Sequence, residues 1–149
     1  MLVLYHGANS VCSVKVRLVL AEKGLAWDGR HIDLPKGGHL AADYLKINPR
    51  AVVPVLDHDG VLIRESTVIC EYLDGLDDAV RLVPADQLAQ ARMRIWGINT
   101  SEYHDSVNTL TFSSFQRRML LAKSPEELAA RWQAMPDKIR VRKTLDLMK

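Results

Sequence analysis

The chain has 149 residues, with 20 Lys and Arg against 18 Asp and Glu, a formal net charge of +2 and two cysteines. That length suffices for one good core or for a domain plus part of another, and the near-balanced charge argues against a polyelectrolyte partner. No apolar run approaches the roughly 20 residues that span a bilayer, and the start Met1, Leu2, Val3, Leu4 lacks the basic flank and length of a signal peptide, so a cytoplasmic protein with reduced thiols and no membrane partner is expected.

Leu2, Val3, Leu4 and Tyr5 predict a short apolar strand, residues 6–10 a loop containing Gly7 and Asn9, and residues 13–23 an amphipathic helix stopped by Gly24, with Val14, Leu18 and Ala21 on its buried side. Ile32, Asp33 and Leu34 predict a second strand, and apolar positions at helical spacing return over residues 41–47. Residues 52–57 and 61–64 flank Asp57, His58, Asp59 and Gly60, a strong hairpin signal. Pro54 interrupts the first of these runs between Val53 and Val55. Proline has no backbone donor, so it points to an edge, a bulge or a cis peptide bond, and a cis bond would leave the Val53 main chain exposed to pair with an extended peptide. Glu65 and Ser66 then precede Val68, Ile69, Tyr72 and Leu73, which recur at helical spacing and make Ser66 the expected N-cap. The N–H groups and dipole of that helix end attract a carboxylate, and Glu65 can accept from an ammonium group; a γ-glutamyl group carries both charges. An ordinary hairpin followed by a capped helix accounts for the same local features. The order strand, helix, strand, helix, strand, strand, helix, with a proline opening the third strand, is the thioredoxin plan.

Neither cysteine belongs to a dithiol motif. Cys70 lies inside the helix that follows Ser66 and is expected in the core. Cys12 lies at the start of a helix, where the dipole stabilises a thiolate, but a CxxC motif would place cysteines where Ser10 and Ser13 stand. A thiol packed beside the loop and a catalytic thiol both remain open. Ser10 is the better catalytic candidate. A cysteine-type thiol titrates near ~8.5, and a serine hydroxyl donating to sulfur, aided by helix N–H groups, favours the thiolate at neutral pH. Serine at this place also fills the ordinary role of a helix cap.

Beyond Leu76 the pattern changes. Asp74, Gly75, Asp77, Asp78 and Pro84 mark a polar linker, and Ala91, Ile95 and Ile98 begin a long helix running to about Ala122. Gly97 and the Thr- and Ser-rich residues 108–114 weaken that helix and favour a bend. Ser124, Pro125, Glu126 and Glu127 supply a cap, an N1 proline and an acid at N3 for a helix ending near Met135, and Pro136 opens a last one. Lys138, Arg140, Arg142, Lys143 and Lys149 crowd the carboxyl end without interleaved aromatics, the pattern of an exposed helix face and not of a nucleic-acid stripe.

Four segments resemble a known family, the cytosolic glutathione transferases. LYHGANSVCSVKVRLVLAEKGL is similar to their first strand, active-site loop and first helix, GGHLAADYLKINP to their second-helix region, and VVPVLDHDG and ESTVICEYL to their cis-proline and γ-glutamyl-binding segments. SVCS-x-KVR resembles the serine-type zeta class, whereas KINPR and ESTVICEYL followed by RMRIW resemble the bacterial glutathione-dependent β-aryl etherases. The resemblance implies an α/β thioredoxin-like domain (βαβαββα) over residues 1–76, a linker over 77–86, and an all-α carboxyl-terminal domain over 87–149 that lacks helices the family usually carries. It implies an enzyme taking glutathione as co-substrate and turning its thiolate on a small hydrophobic electrophile, by substitution, addition or β-aryl ether cleavage, in a homodimer without a metal. Ser10 would stabilise the thiolate and Asn9 would orient the sulfur. Val53, ahead of Pro54, would pair with the cysteinyl unit, and Glu65 and Ser66 would hold the γ-glutamyl end. His39, aided by Lys36, would meet the glycine carboxylate, with a plain surface histidine as the alternative; Arg50 is expected to be solvated. Tyr103, His104, Asn108, Thr111, Phe112 and Phe115 would line the electrophile pocket or pack between helices, and the helix face from Ile95 to Leu121 is expected to be partly uncovered. Two other readings stay open: a shortened, non-catalytic binding or scaffold protein, and thiol exchange dependent on Cys12.

Overall fold

The computed structural model describes residues 1–148, with Asp105, Phe112 and Phe115 described by their backbone alone. It divides into two units, Met1–Gln90 and the residues from Ala91 onward.

The first unit runs β1 (Leu2–His6), α1 (Val11–Glu22), β2 (Asp28–His31), a 3-10 turn (Gly38–Leu40), α2 (Ala42–Ile47), β3 (Val55–His58), β4 (Val61–Arg64) and α3 (Ser66–Asp74). The sheet order is β2-β1-β3-β4. β1 runs parallel to β2 and antiparallel to β3, and β3 and β4 form an antiparallel hairpin. This is the thioredoxin-like βαβαββα arrangement. Asp59 and Gly60 turn the hairpin at φ 51 and 89, the left-handed pair that a two-residue turn requires. Leu2, Leu4, Val16, Leu20, Leu56, Ile69 and Leu73 meet in one buried cluster, so α1 and α3 share the same sheet face. Each such side chain contributes about 1.5–3 kcal/mol by leaving water. On the opposite face the Tyr44 ring of α2 lies 6.3 Å from Tyr5.

Three local expectations are corrected. The buried side of α1 carries Ser13, Val16 and Leu20, while Val14 and Leu18 are 37% and 58% exposed and Ala21 is exposed too. Apolar residues lie on more than one side of this helix, so hydrophobic spacing alone leaves its rotation undetermined; Ser13 faces inward because its hydroxyl accepts the Gly7 N–H at 3.2 Å. The second strand is residues 28–31 and not 32–34. Asp33 Oδ1 accepts the Lys36 N–H and the Asp33 carbonyl accepts the Gly38 N–H, so turn chemistry claims the segment that its apolar residues suggested for a strand. Ser66 is the first residue of α3, and Glu65, at φ 66, holds the cap position because its carbonyl accepts the Ile69 N–H.

The linker is anchored to this unit. Lys23 is buried at the end of α1 and donates to the Asp77 and Val80 carbonyls at 3.2 and 2.6 Å, with Asp74 Oδ1 at 3.5 Å. Asp74 accepts the N–H groups of Leu82 and Val83 at 2.7 and 3.0 Å. Burial alone would raise the Asp74 pKa, but those backbone donors and Lys23 outweigh it and hold the carboxyl below its usual range.

The remaining elements are α4 (Gln87–Thr111), a π-helical segment (Phe112–Gln116), α5 (Arg117–Leu121), α6 (Pro125–Ala134) and α7 (Lys138–Met148). Where a bend was expected the helix passes into this π segment, and Ser113 and Ser114 within it donate their hydroxyls to the Thr109 and Leu110 carbonyls. Ser124 and Glu127 form the complete capping box at the start of α6.

Candidate functional site

Strand register decides which loops meet. Tyr5 lies opposite Val55, and Val55 lies opposite Arg64. The loop after β1, the segment entering β3 and the start of α3 after β4 therefore sit at one end of the sheet. That end gathers Asn9 and Ser10, Val53 and Pro54, and Glu65 and Ser66. Lys15 of α1 donates to the Thr67 hydroxyl of α3 at 3.0 Å and ties the two helix starts together.

Each sequence-predicted residue has a definite setting. Ser10 caps α1: its hydroxyl oxygen accepts the Ser13 N–H at 3.3 Å. Capping uses an oxygen lone pair and leaves the hydroxyl proton available to another acceptor, so the two roles weighed for Ser10 are compatible. Asn9 is exposed in the turn before it. The Val53-Pro54 bond is cis, and Val52 next to it is held by Tyr44 and Asn48, whose hydroxyl and amide donate to its carbonyl at 2.7 and 2.8 Å. Burial raises the Tyr44 pKa strongly, keeping that hydroxyl a donor. Glu65 is exposed and half of an ion pair with Arg50, which is thus a partnered cation and not a merely solvated one. Ser66 is half-buried.

His39 is buried in the turn Gly38–Leu40, which excludes the plain surface histidine. Lys36 is exposed and paired with Asp33. Cys12, the second residue of α1, and Cys70 on α3 are half-buried, unbridged thiols. Burial raises the Cys70 pKa, as befits a thiol packed on the core. Of the residues expected to line an electrophile pocket, Tyr103 and Thr111 are exposed, His104 and Asn108 are half-buried, and the side chains of Phe112 and Phe115 lie outside the described residues. Among the described residues no group of His, Cys, Asp and Glu is arranged to hold a metal ion.

Sequence reasoning missed the support of the Ser10 loop. Arg17, on the second turn of α1, donates to the Gly7 and Ala8 carbonyls at 3.2 Å each. Ser10, Ser13 and Arg17 recur at helical spacing, and this polar stripe is the signal the sequence offers. Gly7 is tightly enclosed, since a Cβ there would come within 2.8 Å of Leu34 Cδ1.

A thioredoxin-like domain with a serine, and no dithiol, in the loop after its first strand defines a class of thiol-handling folds without the redox pair. Residues 9–76 match the family model described as glutathione S-transferase, N-terminal domain. Protein LigF of Sphingobium sp. strain SYK-6 is 40% identical over 102 residues, covering 67% of this chain and 40% of its own length. A maleylacetoacetate isomerase of Rhizobium meliloti is 38% identical over 92 residues, covering 62% of this chain and 43% of its own length. The crystal structure of the β-etherase LigF matches at a TM-score of 0.90 and 32% identity, over 98% of this chain and 62% of that one. The chain is therefore similar to the glutathione S-transferases through its first domain, and to LigF over most of its own length. It spans about two fifths of the length of these two curated relatives.

Proposed function

We propose that this chain binds glutathione at the sheet end that gathers the Ser10 loop, Val53 and the start of α3, and that it activates the thiol for attack on a small hydrophobic electrophile. The Ser10 hydroxyl donates to the sulfur while its oxygen keeps the Ser13 cap, and the first N–H groups of α1 add their dipole. Asn9 orients the sulfur. The Val53 main chain pairs with the cysteinyl unit, Glu65 accepts the γ-glutamyl ammonium, and Ser66 with the N–H groups of α3 takes its carboxylate. His39 meets the glycine carboxylate. β-Aryl ether cleavage is the favoured reaction within this class, because the likeness to LigF extends over 98% of the chain. The protein acts in the cytoplasm as a homodimer.

One observation supports this reading: the register that sets Tyr5 opposite Val55 and Val55 opposite Arg64 brings the loop after β1, the segment entering β3 and the start of α3 to one sheet end. The test is retention on immobilised glutathione, followed by thiol conjugation and β-aryl ether cleavage assays on wild type, Ser10→Ala and Cys12→Ser. Ser10→Ala is expected to lower turnover about 10²-fold with little change in binding, since the hydrogen bond strengthens as charge develops on sulfur. Cys12→Ser should leave turnover nearly intact. Activity that survives loss of Ser10 and is abolished by loss of Cys12 would identify a thiol-exchange enzyme instead. Glutathione retained without any turnover would identify a binding protein.

A further inference from the structure

The Ser10 loop is held from behind by a cluster that the proposed chemistry does not use. Arg17 reaches back along α1, and the nitrogen that donates to the Gly7 carbonyl also lies 3.1 Å from His6 Nδ1. A guanidinium only donates, so Nδ1 must be the acceptor and His6 must be neutral with its proton on Nε2. The His6 ring stands edge-on to Trp27 at 5.7 Å and to His31 at 5.9 Å. Trp27 precedes β2, and His31 is the β2 partner of His6 in the parallel register. The charged or titratable groups facing His6 are thus Arg17 from α1 and His31 from β2. Burial, then Arg17, then His31 push the His6 pKa below 6.5.

We propose that Arg17 is a positioning residue which, with His6 as a proton-sensitive acceptor, braces the loop carrying Asn9 and Ser10 and lets it loosen at acidic pH. Protonating Nδ1 turns the acceptor into a donor facing a fixed cation. Arg17 must then leave, and with it go the two bonds to the Gly7 and Ala8 carbonyls. The loop keeps Ser13 on the Gly7 N–H but loses its hold on the carbonyl side. The consequence for thiolate stabilisation rests on the glutathione reading above; the brace itself does not.

The experiment uses the full chain without ligand. Hydrogen-exchange protection factors for the Gly7 and Ser10 amides, which remove the intrinsic pH dependence of exchange, are compared between pH 7.5 and 5. In a Trp96→Phe, Trp132→Phe background, Trp27 fluorescence reports His6 protonation. Wild-type protection should fall at least about tenfold over this range, as the two Arg17 bonds to the Gly7 and Ala8 carbonyls are lost, with the same midpoint as the Trp27 signal. Arg17→Met should show the reduced, low-pH level of protection at both pH values, Arg17→Lys an intermediate level, and His6→Asn, which keeps an acceptor but does not titrate, protection independent of pH. Unchanged protection in Arg17→Met, or a pH response that persists in His6→Asn, would overturn the brace. A parallel arm follows the ultraviolet absorption of the glutathione thiolate, whose midpoint should rise by about one pH unit in Arg17→Met. A wild-type chain that binds no glutathione would sink the glutathione reading while the exchange data still decide the brace.

Discussion

Between residues 1 and 90, apolar side chains from β1, α1, β3 and α3 meet in one cluster, and even Lys23 and Asp74 are drawn inside with partners. Beyond residue 90, Leu120 alone is buried among the described residues, while Ile95, Trp96, Ile98, Val107 and Leu110 are all more than half exposed. The helices there are set by local devices instead: a capping box, an N1 proline, and serine or threonine hydroxyls turned back onto carbonyls. A helix boundary can be encoded in four neighbouring residues, whereas a core needs residues distant in sequence to agree. The first unit has both kinds of information, and the described part of the second is specified chiefly by the local kind.

The largest effect should therefore come from the buried charges of the first unit. Lys23→Met leaves Asp74 buried without its ammonium partner and removes two donors to the linker carbonyls. A loss of about 3–5 kcal/mol is expected in denaturant unfolding of the full chain. The same pair sets an acid limit. Asp74 has a lowered pKa in the folded state, so its contribution is present above the ordinary value of 3.8 and is lost as pH falls through the lower folded value. A loss under 1 kcal/mol in Lys23→Met would show that the linker is held by other contacts. Next in size is Ser124→Ala, which removes the α6 cap and should cost about 1 kcal/mol, read locally as faster exchange of the Glu127 amide. If that change unfolded the whole chain as readily as Lys23→Met, the contrast between the units would fail.

The sequence made the element order, the hairpin turn and the α6 cap legible because each rests on short-range chemistry: left-handed φ at Asp59 and Gly60, or a serine three residues before a glutamate. The position of β2 was misread because Asp33 turns the chain where Ile32 and Leu34 suggested a strand. The buried side of α1 was misread because Ser13 faces inward to serve Gly7, a demand that hydrophobic spacing does not express. At the site, Asn9, Ser10, Val53, Pro54, Glu65 and Ser66 could be marked one by one, but their meeting at one sheet end depends on strand register. Arg17, His6 and Trp27 escaped notice for the same reason. The Arg17 contacts span nine or more residues, and the ring contacts need two strands side by side.

The smallest effect on stability is expected where the first unit resembles the second, at an exposed pair. Arg50 and Glu65 are 71% and 59% exposed, so solvent screens their attraction and Arg50→Gln should change unfolding stability by less than about 1 kcal/mol. Its effect on binding is a separate matter. The Glu65 carboxylate is shared with the Arg50 guanidinium, and under the proposed glutathione reading an incoming γ-glutamyl ammonium has to compete for it. Removing Arg50 leaves that carboxylate unshared, so glutathione should bind a few-fold more tightly at low ionic strength, with the gain fading as salt shortens the screening length. Titration calorimetry at two salt concentrations checks both halves. Weaker binding in Arg50→Gln at low salt would mean that Arg50 reaches a glutathione carboxylate itself, and Glu65 would then serve mainly to hold the arginine in place.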